Sequence, residues 1–503
     1  MNVNGWRKSG GGLRWLGAVL LLCSLVLPRE ADARSLPSPV GVYQRLVNGL
    51  KARRLAAAAR RGQPMVTKRN PVRALPRGPQ DRLVVGVMAS AAPEHTIAPG
   101  LKVRLERLGQ EVAHRGDVVL TGACPGMPHV VARAAKRAGG YTVGVSPAGS
   151  LKEHTQRFHS PTDSLDVIQM TGTGPGMGFI AREEDNIRNS DIMVFAGGRS
   201  GTLGEILFAM QERKVIALLE DSSGVTSAWR KQILPLIGNG RGIFVADTDP
   251  TRLMQKAYDA HTRLQRRGSS TARGQQKGWL RKLGAPLRRL WQRVRQRPLI
   301  TDQVTRDHNV FTFFGTVRGT DDADRAKIMT LVQQIAQDRT GGRKPLLMTP
   351  ARAGLPSHVA KAARSLGVKT VGFSAASTAR EALRPGRPHT MYDAIQLTGE
   401  GPGVGELAAY QHGIKKADVV FVAGGDHRTL GGTVFAMYQP TVVAVLETKG
   451  MSGKLRSHIL STFDKPAHAT MIYDSDPVRL YSKAVQAAEK LRHSERTEYI
   501  APE

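Results

Sequence analysis

A segment of this chain occurs twice, and that repetition constrains the fold more than any other feature. Leu165-Asp166-Val167-Ile168-Gln169-Met170-Thr171-Gly172 returns as Tyr392-Asp393-Ala394-Ile395-Gln396-Leu397-Thr398-Gly399, 227 residues later. Thr142-Val143-Gly144 matches Thr370-Val371-Gly372, Gly174-Pro175-Gly176 matches Gly401-Pro402-Gly403, and Asp191 to Gly198 matches Asp418 to Gly425, all within a residue of that offset. The reading is a tandem duplication, with copies at about 81–250 and 305–490. A length of 503 residues has room for two generous domains, and a hydrophobic fraction of 41% gives each a core, which excludes a globally disordered chain. Cys23 and Cys124 are the only cysteines, and Cys23 lies in a segment that reads as removed, so packing rather than a disulfide framework must hold the fold.

Within each copy, short β-rich runs alternate with helical patterns. Leu83 to Met88 is strand-like, and Leu101, Leu105, Leu108 and Val112 then fall on one helical face. Asp117 to Leu120, Tyr141 to Val145, Ile192 to Ala196 and Val215 to Leu219 come next as strands with helices between them. The second copy repeats this with Val310 to Phe314 and a helix face of Ile328, Leu331, Val332 and Ile335. Such alternation predicts an α/β fold: two tandem Rossmann-like domains, each a mostly parallel sheet with helices on both faces.

The net charge of +32 is concentrated outside the two copies. Residues 34–82 carry 12 Lys and Arg against Asp81 alone, and residues 251–300 carry 14 against Asp259 alone. The first stretch reads as a flexible basic leader (34–80) and the second as a basic linker (251–304), so the charge says little about what the domains bind. In the linker, Trp279, Leu283, Leu287, Leu290, Trp291 and Val294 form a helical stripe ringed by arginines and interrupted by Pro286. That stripe suits an anionic membrane surface or a protein partner, or it packs on one of the domains. Ahead of the leader, Arg7, Lys8 and Arg14 precede the apolar run Leu16 to Leu27, with Ala31-Asp32-Ala33 just beyond it. Residues 1–33 therefore read as a secretory signal peptide and the protein as exported, periplasmic or secreted. The alternatives are a membrane anchor, or a true start at Met65 and a cytoplasmic protein. Residues 491–503 read as a tail.

Three glycine-bearing turns in the first copy come after predicted strands, where open α/β sheets place their ligands. They are Thr121-Gly122-Ala123-Cys124-Pro125-Gly126-Met127, Thr171-Gly172-Thr173-Gly174-Pro175-Gly176-Met177, and Gly197-Gly198-Arg199-Ser200-Gly201-Thr202-Leu203-Gly204-Glu205. Glycine lets backbone approach a phosphate closely, and a helix starting at the turn points free N–H groups at the anion. Three such turns indicate a nucleotide or sugar-phosphate site. Cys124 reads as packing in its turn, and His154 and His159 read as surface or loop histidines. No metal-ligand cluster is visible, and neither a cofactor nor specific nucleic-acid binding is predicted.

The third turn, with Arg182 upstream of it, resembles the LOG (Lonely Guy) family, whose members are often labelled lysine decarboxylases. The family motif is P-G-G-x-G-T-x-x-E. Gly198, Gly201, Thr202 and Glu205 match it, Gly197 stands for the proline, and Arg199 stands for the second glycine. Arg182 falls where the family has its catalytic arginine, and Thr121 to Met127 is similar to its first phosphate-side turn. The resemblance implies a nucleoside 5′-monophosphate phosphoribohydrolase, which releases a free base, a cytokinin in plants and some bacteria, and ribose 5-phosphate. It makes Arg182 and Glu205 the catalytic candidates. Thr121, Gly122, Gly126, Gly174, Gly176, Gly198, Arg199, Gly201 and Thr202 become the phosphate-side candidates. The chemistry is apt, because a carboxylate beside the sugar stabilises oxocarbenium charge and orients water. Glu205 also fits an ordinary helix-start glutamate favoured by the helix dipole.

In the second copy Arg182 is replaced by Ala409, Gly201 by Arg428 and Glu205 by Gly432, while Gly424, Gly425 and Thr429 remain. That copy is expected to fold without hydrolysing. Family members commonly form homodimers, so the second copy reads as a built-in partner for the first, with a homo-oligomer as the alternative. Two competing functions stay open: a non-catalytic nucleotide-binding or sensing protein of the same fold, and a nucleic-acid or envelope scaffold using the basic segments.

Overall fold

Runs such as Val84–Ala89, Ile192–Ala196 and Val215–Leu219 are rich in branched residues and nearly continuously apolar, the pattern of strands covered on both faces. In the computed structural model they are buried along their length. The structure describes residues 64–67, 82–172, 177–238, 242–275, 306–316, 320–351, 354–374, 391–397, 413–459 and 468–498.

The first domain contains strands β1 (Met65–Thr67), β2 (Val84–Ala89), β3 (Val118–Thr121), β4 (Tyr141–Ser146), β5 (Val167–Met170), β6 (Ile192–Ala196), β7 (Val215–Leu219) and β8 (Ile243–Asp247). Its main helices are α1 (Pro99–His114), α2 (Met127–Arg137), α3 (Met177–Asn189), α4 (Ser200–Gln211) and α5 (Pro250–Gln275). The sheet order is β1-β5-β4-β3-β2-β6-β7-β8, every pair parallel. Chain order reverses between β2 and β6, which opens a crevice at their carboxyl ends.

The second domain contains β9 (His308–Thr316), α6 (Asp322–Gln337), β10 (Lys344–Pro350), α7 (Leu355–Ser365), β11 (Lys369–Ser374), β12 (Ala394–Leu397), β13 (Val419–Gly424), α8 (His427–Met437), β14 (Val442–Leu446), β15 (Thr470–Asp474) and α9 (Pro477–Glu498). Its order, β12-β11-β10-β9-β13-β14-β15, runs the same way with all pairs parallel. The fold class is the predicted one. Polar ties recur as well. Asp191 accepts from the Val84 N–H at 2.9 Å and Asp418 from the Val310 N–H at 2.7 Å, each joining the two strands of the switch point. Asp247 pairs with Arg252 and Lys256, and Asp474 with Arg479 and Lys483.

The domains meet through α4 and α8. Thr202 to Gln211 and Thr429 to Met437 are buried without a break, because each helix packs its own sheet on one side and the other helix on the opposite side. Phe208 and Phe435 meet edge to face across the contact, 4.0 Å between ring centroids. A single apolar core joins β6 and α4 to β13 and α8.

Three predicted boundaries move. The leader is not uniformly flexible: Met65–Thr67 adds an edge strand, pairing with Val167–Gln169, because branched Val66 and Thr67 extend readily beside an open sheet edge. The linker starts later than residue 251, since Leu253, Met254, Ala257 and Ala260 on α5 are fully buried in the first core. The final helix continues past residue 490, where Arg492 donates to Asp418 at 2.8 Å. The signal-peptide reading and the Trp279 to Val294 stripe lie outside the described residues. Among the described residues no helix is long and apolar enough to cross a membrane.

Candidate active site

The crevice at the switch point opens as a pocket of about 440 Å³. It is lined by Ala89 at the end of β2 and the Ser90 to Pro93 loop after it, by Cys124 from the turn after β3, by Arg182 from α3, and by Arg199, Gly201, Thr202 and Glu205 at the start of α4. Arg182 and Glu205, the two catalytic candidates, thus face one cavity although 23 residues separate them.

The turn into α4 depends on its glycines. Gly197 has φ +60 and Gly198 φ +87, and a Cβ on Gly198 would collide with the Thr202 hydroxyl. A proline at 197 could not adopt that left-handed angle, since its ring locks φ near −65°, so glycine replaces the family's proline for a structural reason. The Gly197 N–H donates to Ser222 Oγ at 2.8 Å and Thr226 Oγ1 at 2.9 Å, which anchors the turn. Arg199 is the N-cap of α4 and is exposed, and no side chain caps the helix there. Arg199, Gly201 and Thr202 at this helix start line the pocket, and the helix dipole and the Arg199 charge both favour an anion there.

Other predicted phosphate-side residues support the pocket without lining it. The Ala123 N–H donates to the buried Thr121 hydroxyl at 3.2 Å and shapes the turn. Gly122 lies beneath the Arg182 guanidinium, where a Cβ would stand 3.4 Å from a terminal nitrogen. Gly126, φ +79, sits against the Ser90 and Ala92 carbonyls, a place no side chain fits. Gly174 and Gly176 lie outside the described residues, as do Gly401 to Gly403 and Ala409.

The electrostatics centre on two acids. Glu205 is buried, and Asn186 Nδ2 lies 3.5 Å from its Oε1. Burial pushes the Glu205 carboxyl up, while Arg182 and then Asn186 pull it back. Glu183, equally buried, is pushed well above the usual carboxyl range by burial first and then by the Glu205 charge. Two neighbouring buried acids do not both ionise easily, and of the two Glu183 is raised the further, while Arg182 favours the charged form of Glu205. Burial opposes the Arg182 charge, but its acidic neighbours, Glu205 foremost, outweigh it. Burial also raises the Cys124 thiol, which favours its protonated form.

Two readings change. Cys124 is half-buried on the pocket wall rather than simple turn packing. His154 is fully buried, because its Nδ1 meets Ser146 Oγ at 2.8 Å, and burial lowers its pKa; His159 is exposed as expected. Sequence reasoning missed Glu183, although it adjoins Arg182, and it missed Tyr438 of the second domain. The Tyr438 hydroxyl lies 2.7 Å from Ser200 Oγ at the start of α4. Among the described residues no cluster of His, Cys, Asp and Glu is placed to hold a metal ion.

Comparison with known proteins bears on the domain that holds this pocket. Residues 82–240 match the SLOG cluster4 family. The matched residues lie in the first domain, and the whole pocket falls within them. The chain is similar to an uncharacterized protein of Archaeoglobus fulgidus, 29% identical over 114 residues, which is 23% of this chain and 67% of that protein. Among solved structures it is similar to the molybdenum cofactor carrier protein of Chlamydomonas reinhardtii, with 26% identity, 35% of this chain and 99% of that one, and a TM-score of 0.28. The molybdenum cofactor binding protein of Rippkaea orientalis is also similar, with 24% identity, 36% of this chain and 98% of that one, and a TM-score of 0.29.

Proposed function

We propose that the first domain hydrolyses the N-glycosidic bond of a nucleoside 5′-monophosphate. The observation that carries this is the convergence of Arg182, Glu205 and an uncapped helix start on one pocket. The 5′-phosphate sits at the first turn of α4, held by the N–H groups near Gly201, the Thr202 hydroxyl and Arg199. Glu205, one turn further along the same helix, then lies on the ribose side, and Arg182 holds ribose or phosphate oxygens. As the C1′–N bond breaks, the Glu205 carboxylate faces the developing oxocarbenium charge and takes a proton from the attacking water. Hydroxide adds to C1′ as the C1′–N bond breaks, the leaving base takes up a proton from solvent, and Glu205 returns the water's proton to solvent, so that one water supplies both the C1′ hydroxyl and the proton on the base.

The test is ribose 5-phosphate release by the full chain from a panel of nucleoside monophosphates, beside Glu205→Gln and Arg182→Ala. We expect each substitution to lower release by ~100-fold or more, with Glu205→Gln still binding nucleotide. A parent chain that binds nucleotide and releases nothing would refute hydrolysis. The second reading, a nucleotide-binding protein without turnover, is favoured by the burial of Glu205, which pushes its carboxyl toward the uncharged form.

The exported location and the docking of the basic linker on an anionic membrane or a protein stand as proposals of the same kind. Both are tested by fractionating the full chain and by its binding to vesicles containing anionic lipid.

A further inference from the structure

The first domain's pocket is finished by a side chain from the second. Tyr438 comes directly after the last residue of α8, and its hydroxyl lies 2.7 Å from Ser200 Oγ, across 238 residues of sequence. A Cβ on Gly201 would stand 3.2 Å from that same hydroxyl and 3.9 Å from Glu183 Oε1. The phenol therefore rests against the turn that lines the pocket and beside the acid behind Glu205. Burial raises the Tyr438 pKa, so the hydroxyl keeps its proton.

The two domains differ at the position of Tyr438. The residue 227 positions before Tyr438 is Gln211, at the same place at the end of α4. Gln211 is buried against Gly431, and among the described residues neither its amide nitrogen nor its oxygen has a hydrogen-bond partner. The second domain gives the first a bonded hydroxyl, whereas the first gives the second an amide that bonds nothing. Mere packing between two similar domains gives no reason for such asymmetry at equivalent positions.

We propose that Tyr438 is a positioning residue for the first-domain pocket, holding Ser200 and with it the anion-facing first turn of α4. Glu205 has a separate support in Asn186 on α3. Loss of the hydroxyl should therefore act on the grip of the phosphate rather than on the chemical step. In this form the proposal rests on the nucleotide reading above.

The experiment uses the full chain with Tyr438→Phe, Ser200→Ala and the double variant, and adenosine 5′-monophosphate as probe. Tyr438→Phe keeps the ring at the domain contact and removes only the hydroxyl. We expect KM and the nucleotide dissociation constant to rise by about tenfold, the factor expected from one hydrogen bond, with kcat within about twofold of the parent. Ser200→Ala should reproduce the effect and the double variant should add nothing to it, as for two ends of one bond. Amide exchange of the 200–205 segment should quicken in the ligand-free Tyr438→Phe chain. An unchanged KM and dissociation constant, additive single effects, or a fall in kcat alone would overturn the proposal. If the parent neither cleaves nor binds the probe, the nucleotide reading fails separately. Exchange at 200–205 then decides Tyr438 alone: quicker exchange supports it and equal exchange overturns it.

Discussion

The starts of α4 and α8 have nearly the same backbone and opposite chemistry. The N-cap of α4 is Arg199 at φ −126 and ψ −149, and that of α8 is Asp426 at φ −129 and ψ −167. Each comes after a pair of left-handed glycines, Gly197 and Gly198 in one case, Gly424 and Gly425 in the other. Yet the Asp426 carboxylate accepts from its own helix, from the Arg428 N–H at 2.9 Å and the Thr429 N–H at 3.3 Å. A negative charge already sits where an anionic ligand would bind. In α4 the cap residue is a cation, and it lines the pocket. The two helix starts thus share a backbone geometry and differ in the charge of the cap residue, Arg199 in one and a self-capping Asp426 in the other.

The largest expected effect tests whether the domains stand as one body. Phe208 and Phe435 are buried edge to face in the shared core, so Phe435→Ala should cost about 3–5 kcal/mol. Chemical denaturation should show both domains losing stability together. Two separate transitions, with the first domain unmoved, would break the comparison by showing that the domains are independent. Next in size, Arg199→Asp makes α4 start as α8 does. It should weaken nucleotide monophosphate binding by about 10–100-fold through lost attraction and a self-capped helix, while the fold gains up to about 1 kcal/mol. Calorimetric titration and thermal melting together check both halves, and binding equal to the parent would remove the helix start from the site. Asp426→Ala is the converse and should destabilise the second domain by about 1 kcal/mol with no effect on ligand affinity.

These contrasts show which parts of the molecule are legible in the residues. The strands are readable because fully covered parallel strands are continuous apolar runs, and the offset of 227 residues supports one copy with the other. Glu205 is readable as a helix-start acid because a glycine turn at a strand end fixes where the next helix begins, whereas Arg182 is singled out only by the resemblance to the LOG family. Val167–Met170 stands out as a repeated motif rather than as a strand, since Gln169 interrupts its apolar run, while the partner strand Met65–Thr67 is hidden in a basic leader. Tyr438 cannot be found locally: its partner Ser200 is 238 residues away, and only tertiary packing joins them. The usable hint is α4 itself. A helix apolar on every side from Leu203 to Met210 must be covered by more than its own sheet, and α8 carries the same pattern.

The smallest expected effect is a change of slope with pH, and it separates the domains by charge rather than by packing. The first domain buries Glu183 beside Glu205 and Arg182, whereas the second has Tyr410, Gly432 and Ala409 at the corresponding sequence positions. Burial, then Glu205, raises the Glu183 pKa above the unfolded value of 4.5. Below that value the folded and unfolded chains both hold the proton. As pH rises past it, the unfolded chain releases the proton while the folded one keeps it, so stability falls until the raised folded pKa is passed. Glu183→Gln replaces the buried acid with a neutral group of the same shape and should abolish that fall. Its melting temperature should match the parent near pH 4 and exceed it at neutral pH. A gap that opens on acidification instead would mean that Glu183 is ionised in the folded chain, and the proton would then have to reside on Glu205. That result would reverse the roles of the two acids and leave the pocket with no carboxylate for oxocarbenium chemistry.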